Sequence, residues 1–148
     1  MQGRLLPKYQ GRYQAHPVDY WQQEFELAQE IGLDCIEFIL DFNNAEKNPL
    51  LKKGGVEEIL SIIEKTGISV KIVYADYFME APLHSEDKAV PGQSQKVMTR
   101  LLKNAAELGV TNVVKPYVDK SSLFSRQTVN RFVKQFTPCV HIAEKKEI

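Results

Sequence analysis

The sequence predicts an α/β domain of repeated helix–strand units whose strands run parallel, and three observations carry that prediction. First, one pattern occurs three times, in "FELAQEIGLDCIEFIL", "ILSIIEKTGISVKIVYA" and "RLLKNAAELGVTNVVKPYV". Each copy reads as a helix, a glycine, a branched apolar residue, one or two polar residues, and an apolar strand. Second, the glycines Gly32, Gly67 and Gly109 are 35 and 42 residues apart and stand where a helix must end in a left-handed turn, which costs glycine least. Third, the strands are near-continuous apolar runs, the pattern of parallel strands covered on both faces. Such units wind right-handed into one sheet.

Each element follows from local pattern. The opening "MQGRLLPKYQGRYQAHPVDYW" offers a strand tail in its first four residues, then Pro, Gly and polar residues that break regular structure. Val18, Trp21, Phe25 and Ala28 fall at helical spacing and lead to a strand around 35–40. Val56, Ile59, Leu60 and Ile63 mark a second helix that begins near Gly55 and feeds a strand around 70–75. The one long polar loop, "MEAPLHSEDKAVPGQS", follows. A third helix, starting near Ser94, carries Val97, Leu101, Ala105 and Leu108 toward a strand around 112–116. A last helix runs from about Ser125 to the end, and Thr137-Pro138 within it is either a fresh cap and first turn or a kink.

At 148 residues the chain is a single domain with room for a real core. Lys plus Arg and Asp plus Glu number 19 each, so no field of one sign argues for nucleic acid or an anionic membrane. No apolar run approaches the ~20 residues of a membrane span, and no secretory signal is visible. Cys35 and Cys139 lack metal or CxxC spacing and read as buried free thiols of a reducing, cytoplasmic compartment.

Two architectures accommodate repeated βα units, a flat doubly wound sheet and a (β/α)8 barrel. The flat sheet usually carries a glycine-rich phosphate turn, and neither GxGxxG nor GxxxxGK[ST] occurs here. Both architectures place ligand chemistry at strand C-termini, where this chain turns polar in every unit. Gln2 and Arg4 follow the first strand fragment, and Glu37 sits inside the strand around 35–40 with Asp41 just past it. Asp76 and Tyr77 end the next strand, with Glu80 and His84 in the loop beyond, and Lys115, Tyr117 and Asp119 end the last. A charge inside an apolar strand is costly unless paired. Glu37 is thus either half of an ion pair with Lys71 or a substrate contact. Lys115 precedes Pro116 and either points into the mouth or caps the strand in solvent. Arg4 and Lys8 either meet an anionic sugar phosphate or are solvated. His84 and His141 read as solvated, His16 as a turn residue. No HxH, HExxH or carboxylate cluster marks a metal, and no GxSxG elbow marks a nucleophile, so no catalytic residue is assignable.

"MQGRLLP", "GLDCIEFI", "ADYFMEAPLHS" and "LGVTNVV" together resemble the first half of bacterial sugar phosphate isomerase/epimerase proteins of the xylose isomerase-like TIM-barrel superfamily. The resemblance covers nearly the whole chain. It implies that 1–148 is one incomplete TIM-barrel domain, roughly the first four βα units with helices outside parallel strands. In such proteins "MQGRL" lies in or at the end of the first barrel strand, and Glu147 occupies the glycine position that ends the fourth helix. It further implies a sugar or sugar phosphate substrate and a divalent metal (Mn, Mg, Co or Zn) held by later strands, with no ligand assignable here. Carried over as pocket wall are Gln2, Arg4, Glu37, Asp76 and Tyr77, and Lys115 joins them from its place at a strand end. The DNA-repair branch uses His ligands where this chain reads "ADYF" and "KPYV", which disfavours nucleic acid. Half a barrel leaves unpaired sheet edges, so the expected partners include a C-terminal half or a second copy.

Overall fold

The computed structural model describes residues 5–148. Helix α1 (Gln23–Glu30) leads to strand β1 (Cys35–Ile39), α2 (Gly55–Thr66) to β2 (Ser69–Tyr74), and α4 (Ala89–Glu107) to β3 (Asn112–Val114). A short α3 (Tyr77–Glu80) follows β2, and α5 (Arg126–Lys146) is last. Among the described residues the strands are three, parallel in the order β1-β2-β3, and the sheet they form is not closed.

The predicted caps form. Gly32, Gly67 and Gly109 have φ of 75°, 73° and 71°, and the residue after two of them bonds back, Leu33 N to Ala28 O and Val110 N to Ala105 O. Glu147 takes the same left-handed conformation at φ 58° after α5. α5 is one continuous helix through Pro138, capped by the Ser125 hydroxyl accepting from Thr128 N. The predicted long loop is shorter: Met79 and Glu80 belong to α3, and α4 already begins at Ala89. Ser94 lies inside α4, its hydroxyl donating to Ala81 O at 2.8 Å instead of capping a helix.

The sheet has two unlike faces. Ile36, Phe38, Val70, Val73 and Ala75 join the main core with Phe25, Ile59, Met98 and Leu101 from the helices. The register Glu37–Ile72–Asn112 and Ile39–Tyr74–Val114 lines the opposite face. There Ile72 and Tyr74 are half-exposed and Asn112 and Val114 exposed. A doubly wound sheet would bury both faces under helices. One covered face and sequential strand order are instead the arrangement of neighbouring barrel strands, whose inner face packs against the rest of the barrel.

A bulge corrects one sequence expectation. Between Ile36 and Glu37 the register slips by one, so that Glu37 faces Ile72 and Lys71 is left out. The extra residue lets Val70 and Val73, three apart, both enter the core, and Lys71 ends up exposed. Glu37 and Lys71 are therefore not the buried pair that neighbouring strands suggested. Cys35, also expected inside, is exposed at the start of β1, whereas Cys139 is buried; both are free thiols.

Candidate functional site

The C-terminal ends of β1 and β2 are locked together. Leu40 N bonds Tyr74 O, and Tyr77 N reaches back to Leu40 O at 2.8 Å, so Asp41 and Asp76 emerge side by side. Against them leans a turn from the opening segment. Tyr9 and Arg12 exchange two backbone hydrogen bonds around Gln10 and Gly11, both with positive φ, which presents Arg12 to the strand ends. Arg12 donates to both Asp41 oxygens, at 2.6 and 3.5 Å, and Asp41 also accepts from Asn43 N. Arg12, Tyr13, Gln14 and Asp76 line a cleft of about 800 Å³.

Burial, and then the negative charge of Asp41, push the Asp76 carboxyl above its ordinary range, and Arg12 pulls it back only in part. Tyr74, on the open face below, is raised by its own desolvation and then by Asp76 and Glu37. Glu37, Tyr74, Asp41, Asp76 and Arg12 thus share one electrostatic neighbourhood of acceptors, hydroxyl and cation. That set suits a polyhydroxylated ligand, whose hydroxyls both donate and accept.

The predicted site residues divide among three surroundings. Glu37 and Asp76 belong to this neighbourhood. Tyr77 is buried and faces a different, larger cleft of about 1060 Å³ whose wall includes Trp21, Phe42, Lys53, Lys96 and Arg100. Lys115 sits apart, its amine closed in by aromatic rings and without a hydrogen-bond partner among the described residues. It is neither the solvated cap nor the open mouth contact that its position suggested. Gln2 and Arg4 lie outside the described residues. Lys8 is exposed and rests over the Tyr13 ring at 4.8 Å. The sequence reading missed Arg12; the signal for it was the "YQGR" turn, which a Gln-Gly pair can close.

Two of the three histidines are not where the sequence put them. His16 is buried against Trp21 and Phe38, and His84 is buried against Phe132. His141 is exposed, as expected, 3.3 Å from Glu144. Among the described residues no group of three or more His, Cys, Asp or Glu side chains could hold a metal ion. Asp41 is bonded to Arg12 and Asp76 lies beside it, so these two carboxylates do not by themselves fit a divalent metal.

Behind the site Glu24 is buried, one oxygen accepting from Leu5 N at 3.2 Å and the other unpartnered among the described residues. Burial raises its pKa, so its favourable contribution holds below the unfolded carboxyl value and is lost as pH rises through the raised one. At pH 7 the charged form is a cost. Glu24→Gln keeps an acceptor for Leu5 N and removes the buried charge, and is expected to stabilise the fold at pH 7. Below pH 4 the gain should vanish. Urea unfolding at both pH values checks this, and destabilisation at pH 7 would count against it.

Comparison with known proteins agrees with this geometry. L-ribulose-5-phosphate 3-epimerase UlaE of Shigella flexneri serotype 5b (strain 8401) is 28% identical over 92 residues, 61% of this chain and 32% of that protein. The proteins of that name from Salmonella paratyphi B (strain ATCC BAA-1250 / SPB7) and Salmonella heidelberg (strain SL476) are each 26% identical over 91 residues, again 61% of this chain and 32% of theirs. The aligned part of this chain thus spans about a third of each relative's length. The family model described as "Xylose isomerase-like TIM barrel" matches residues 25–148. With parallel strands in sequential order, helices on one face and polar groups gathered at the strand ends, the chain belongs to the xylose isomerase-like TIM-barrel family.

Proposed function

We propose that this chain is the N-terminal part of a metal-dependent sugar phosphate isomerase or epimerase and supplies one wall of its substrate pocket. Glu37, Asp76 and Tyr77, with Gln2 and Arg4 carried from the resemblance, are the wall residues, and Arg12 joins them, whereas the Lys115 amine is closed in by rings. The observation that carries the reading is the neighbourhood of Arg12, Asp41 and Asp76 at the C-terminal ends of adjacent parallel strands, where barrel enzymes bind substrate. Names of the relatives support a ketose phosphate as ligand. In this reading the cation and the groups that move the proton belong to strands outside these residues, and the isolated chain binds weakly and turns over nothing.

The test is a titration of isotopically labelled chain with L-ribulose 5-phosphate, followed by amide shifts. The same sample is assayed for epimerisation with manganese, magnesium, cobalt or zinc. Shifts at Arg12, Glu37, Asp76 and Tyr77 without turnover are the expected result. Turnover by this chain alone, or shifts confined to other surfaces, would overturn it.

A second reading has its own observation, the half-exposed sheet face bearing Ile72, Tyr74 and Val114. Here the chain is a non-catalytic half-barrel that pairs with a separate C-terminal half or with itself, because an uncovered sheet is prone to association. Sedimentation of the isolated chain decides: a monomer that unfolds cooperatively removes self-pairing.

A further inference from the structure

Just beyond β3 lies a group that the sugar reading does not use. The Nζ of Lys115 stands 3.9 Å from the centre of the Tyr117 ring, 5.4 Å from that of Phe132 and 6.0 Å from that of Phe78. Phe132 holds the cage in shape, edge-on to Tyr117 at 5.1 Å and stacked on Phe136 at 4.9 Å. No protein group among the described residues hydrogen-bonds the amine. His84 packs edge-on against the same Phe132 ring at 6.2 Å; it is 5% exposed, and neither ring nitrogen has a hydrogen-bond partner among the described residues.

A cation–π cage can merely hold a lysine in place, and then the ammonium keeps its proton. Two features point elsewhere. Among the described residues no carboxylate pairs with the amine, and its charge acts on His84, whose pKa is lowered by burial, by that charge and by Arg131. Burial lowers the amine to about 8. A lysine desolvated in an apolar pocket is the usual form of an amine nucleophile toward carbonyl compounds. Tyr117, the ring nearest the amine, is 38% exposed and follows β3 outside any helix or strand.

We propose that Lys115 is a carbonyl-capturing amine: its Nζ, held without a counter-ion in a cage of three rings beside His84, forms a Schiff base with a small aldehyde or ketone. The neutral nitrogen adds to the carbonyl carbon, making the C–N bond, while the carbonyl oxygen takes up a proton. That oxygen then leaves as water, taking the nitrogen's second proton, as the C=N bond forms; the first proton it took up is the nitrogen's other one. One water is released and no oxidant or reductant is needed. His84, packed on the same Phe132 ring and within the amine's electrostatic reach, is the group assigned to pass the proton. The step requires only a carbonyl compound, so it stands whether or not the sugar reading does.

The experiment uses the full chain with glycolaldehyde and sodium cyanoborohydride at pH 7, with adducts mapped by peptide mass spectrometry over time. A pKa near 8 leaves about a tenth of the amine neutral at pH 7, against roughly one part in 3,000 for an ordinary lysine. Lys115 is therefore expected to be trapped at least about tenfold faster than the exposed Lys8 or Lys103. His84→Asn should slow trapping at Lys115 severalfold and leave Lys8 and Lys103 unchanged. Trapping of the exposed lysines with Lys115 untouched, or at no greater rate, overturns the proposal. The wild-type comparison alone decides, so a poorly folded variant does not blunt the test.

Discussion

Gly55→Ala is expected to destabilise the protein by about 3 kcal/mol, and thereby to lower its melting temperature by roughly 6–12 °C. A Cβ on Gly55 would meet the backbone of Pro49, 2.1 Å from its carbonyl oxygen and 2.6 Å from its Cα. Neither atom can rotate away, because the segment between β1 and α2 is pinned at several points. Asn48, 1% exposed, donates from Nδ2 to Ile39 O and accepts from Leu50 N, and Asn104 of α4 donates to Leu50 O. Relief therefore requires either the start of α2 or the whole segment to move, and the second route pulls Leu50 and Leu51 out of the core. Gly92→Ala is the control: it lies within α4 with nothing inside 4 Å of an added Cβ, and alanine is the better helix former by about 1 kcal/mol. Calorimetry of both variants should show opposite shifts. Equal melting temperatures would mean that the close approach at Gly55 does not constrain the fold.

The contrast between these two glycines also marks what a sequence can convey. Gly32, Gly67 and Gly109 were legible because a left-handed cap is a local demand, answered within a few residues of chain. The helix–strand repeat was legible for the same reason, since the apolar pattern records which face is covered. Gly55 carried no such signal: its constraint comes from Pro49 folding back across six residues of irregular chain. Sites fared as long-range features do. Asp76 could be placed at a strand end and Glu37 within a strand from the repeat alone, but Arg12 reaches Asp41 across 29 residues through a turn with no regular pattern around it. His84 read as solvated beside Glu86 and Asp87, yet Phe132, on α5, covers it. Burial of a polar residue depends on what the tertiary fold stacks over it, and neighbours in sequence say little about that.

Acid is expected to destabilise the fold by about 3 kcal/mol between pH 6.5 and pH 4 through one residue, His16. The ring is 3% exposed, tilted against Trp21 at 6.3 Å and Phe38 at 5.5 Å, and its Nε2 has no hydrogen-bond partner among the described residues. Burial lowers its pKa from 6.5 to about 4, although the charge of Asp41 works in the other direction. Above the unfolded value both states hold a neutral imidazole, and the stabilisation is fully present. As pH falls below it the unfolded chain takes up a proton that the folded chain refuses, so stability declines at about 1.4 kcal/mol per pH unit. The decline ends near pH 4, where the folded imidazole also charges. His16→Phe keeps an aromatic ring among Trp21, Phe38 and Phe25 and removes the titration. Urea unfolding of both proteins across pH 3.5 to 7.5 separates this residue from the carboxylates, which titrate in both. The gap between the two curves should change by about 3 kcal/mol over that range in favour of the variant at low pH. The consequence reaches the site: Trp21 and Phe38 belong to the core beneath the ends of β1 and β2, where Asp41 and Asp76 emerge. Charging His16 therefore loosens the floor on which the Arg12–Asp41 pair rests, and a gap that stays constant with pH would show that the imidazole meets solvent in the folded state after all.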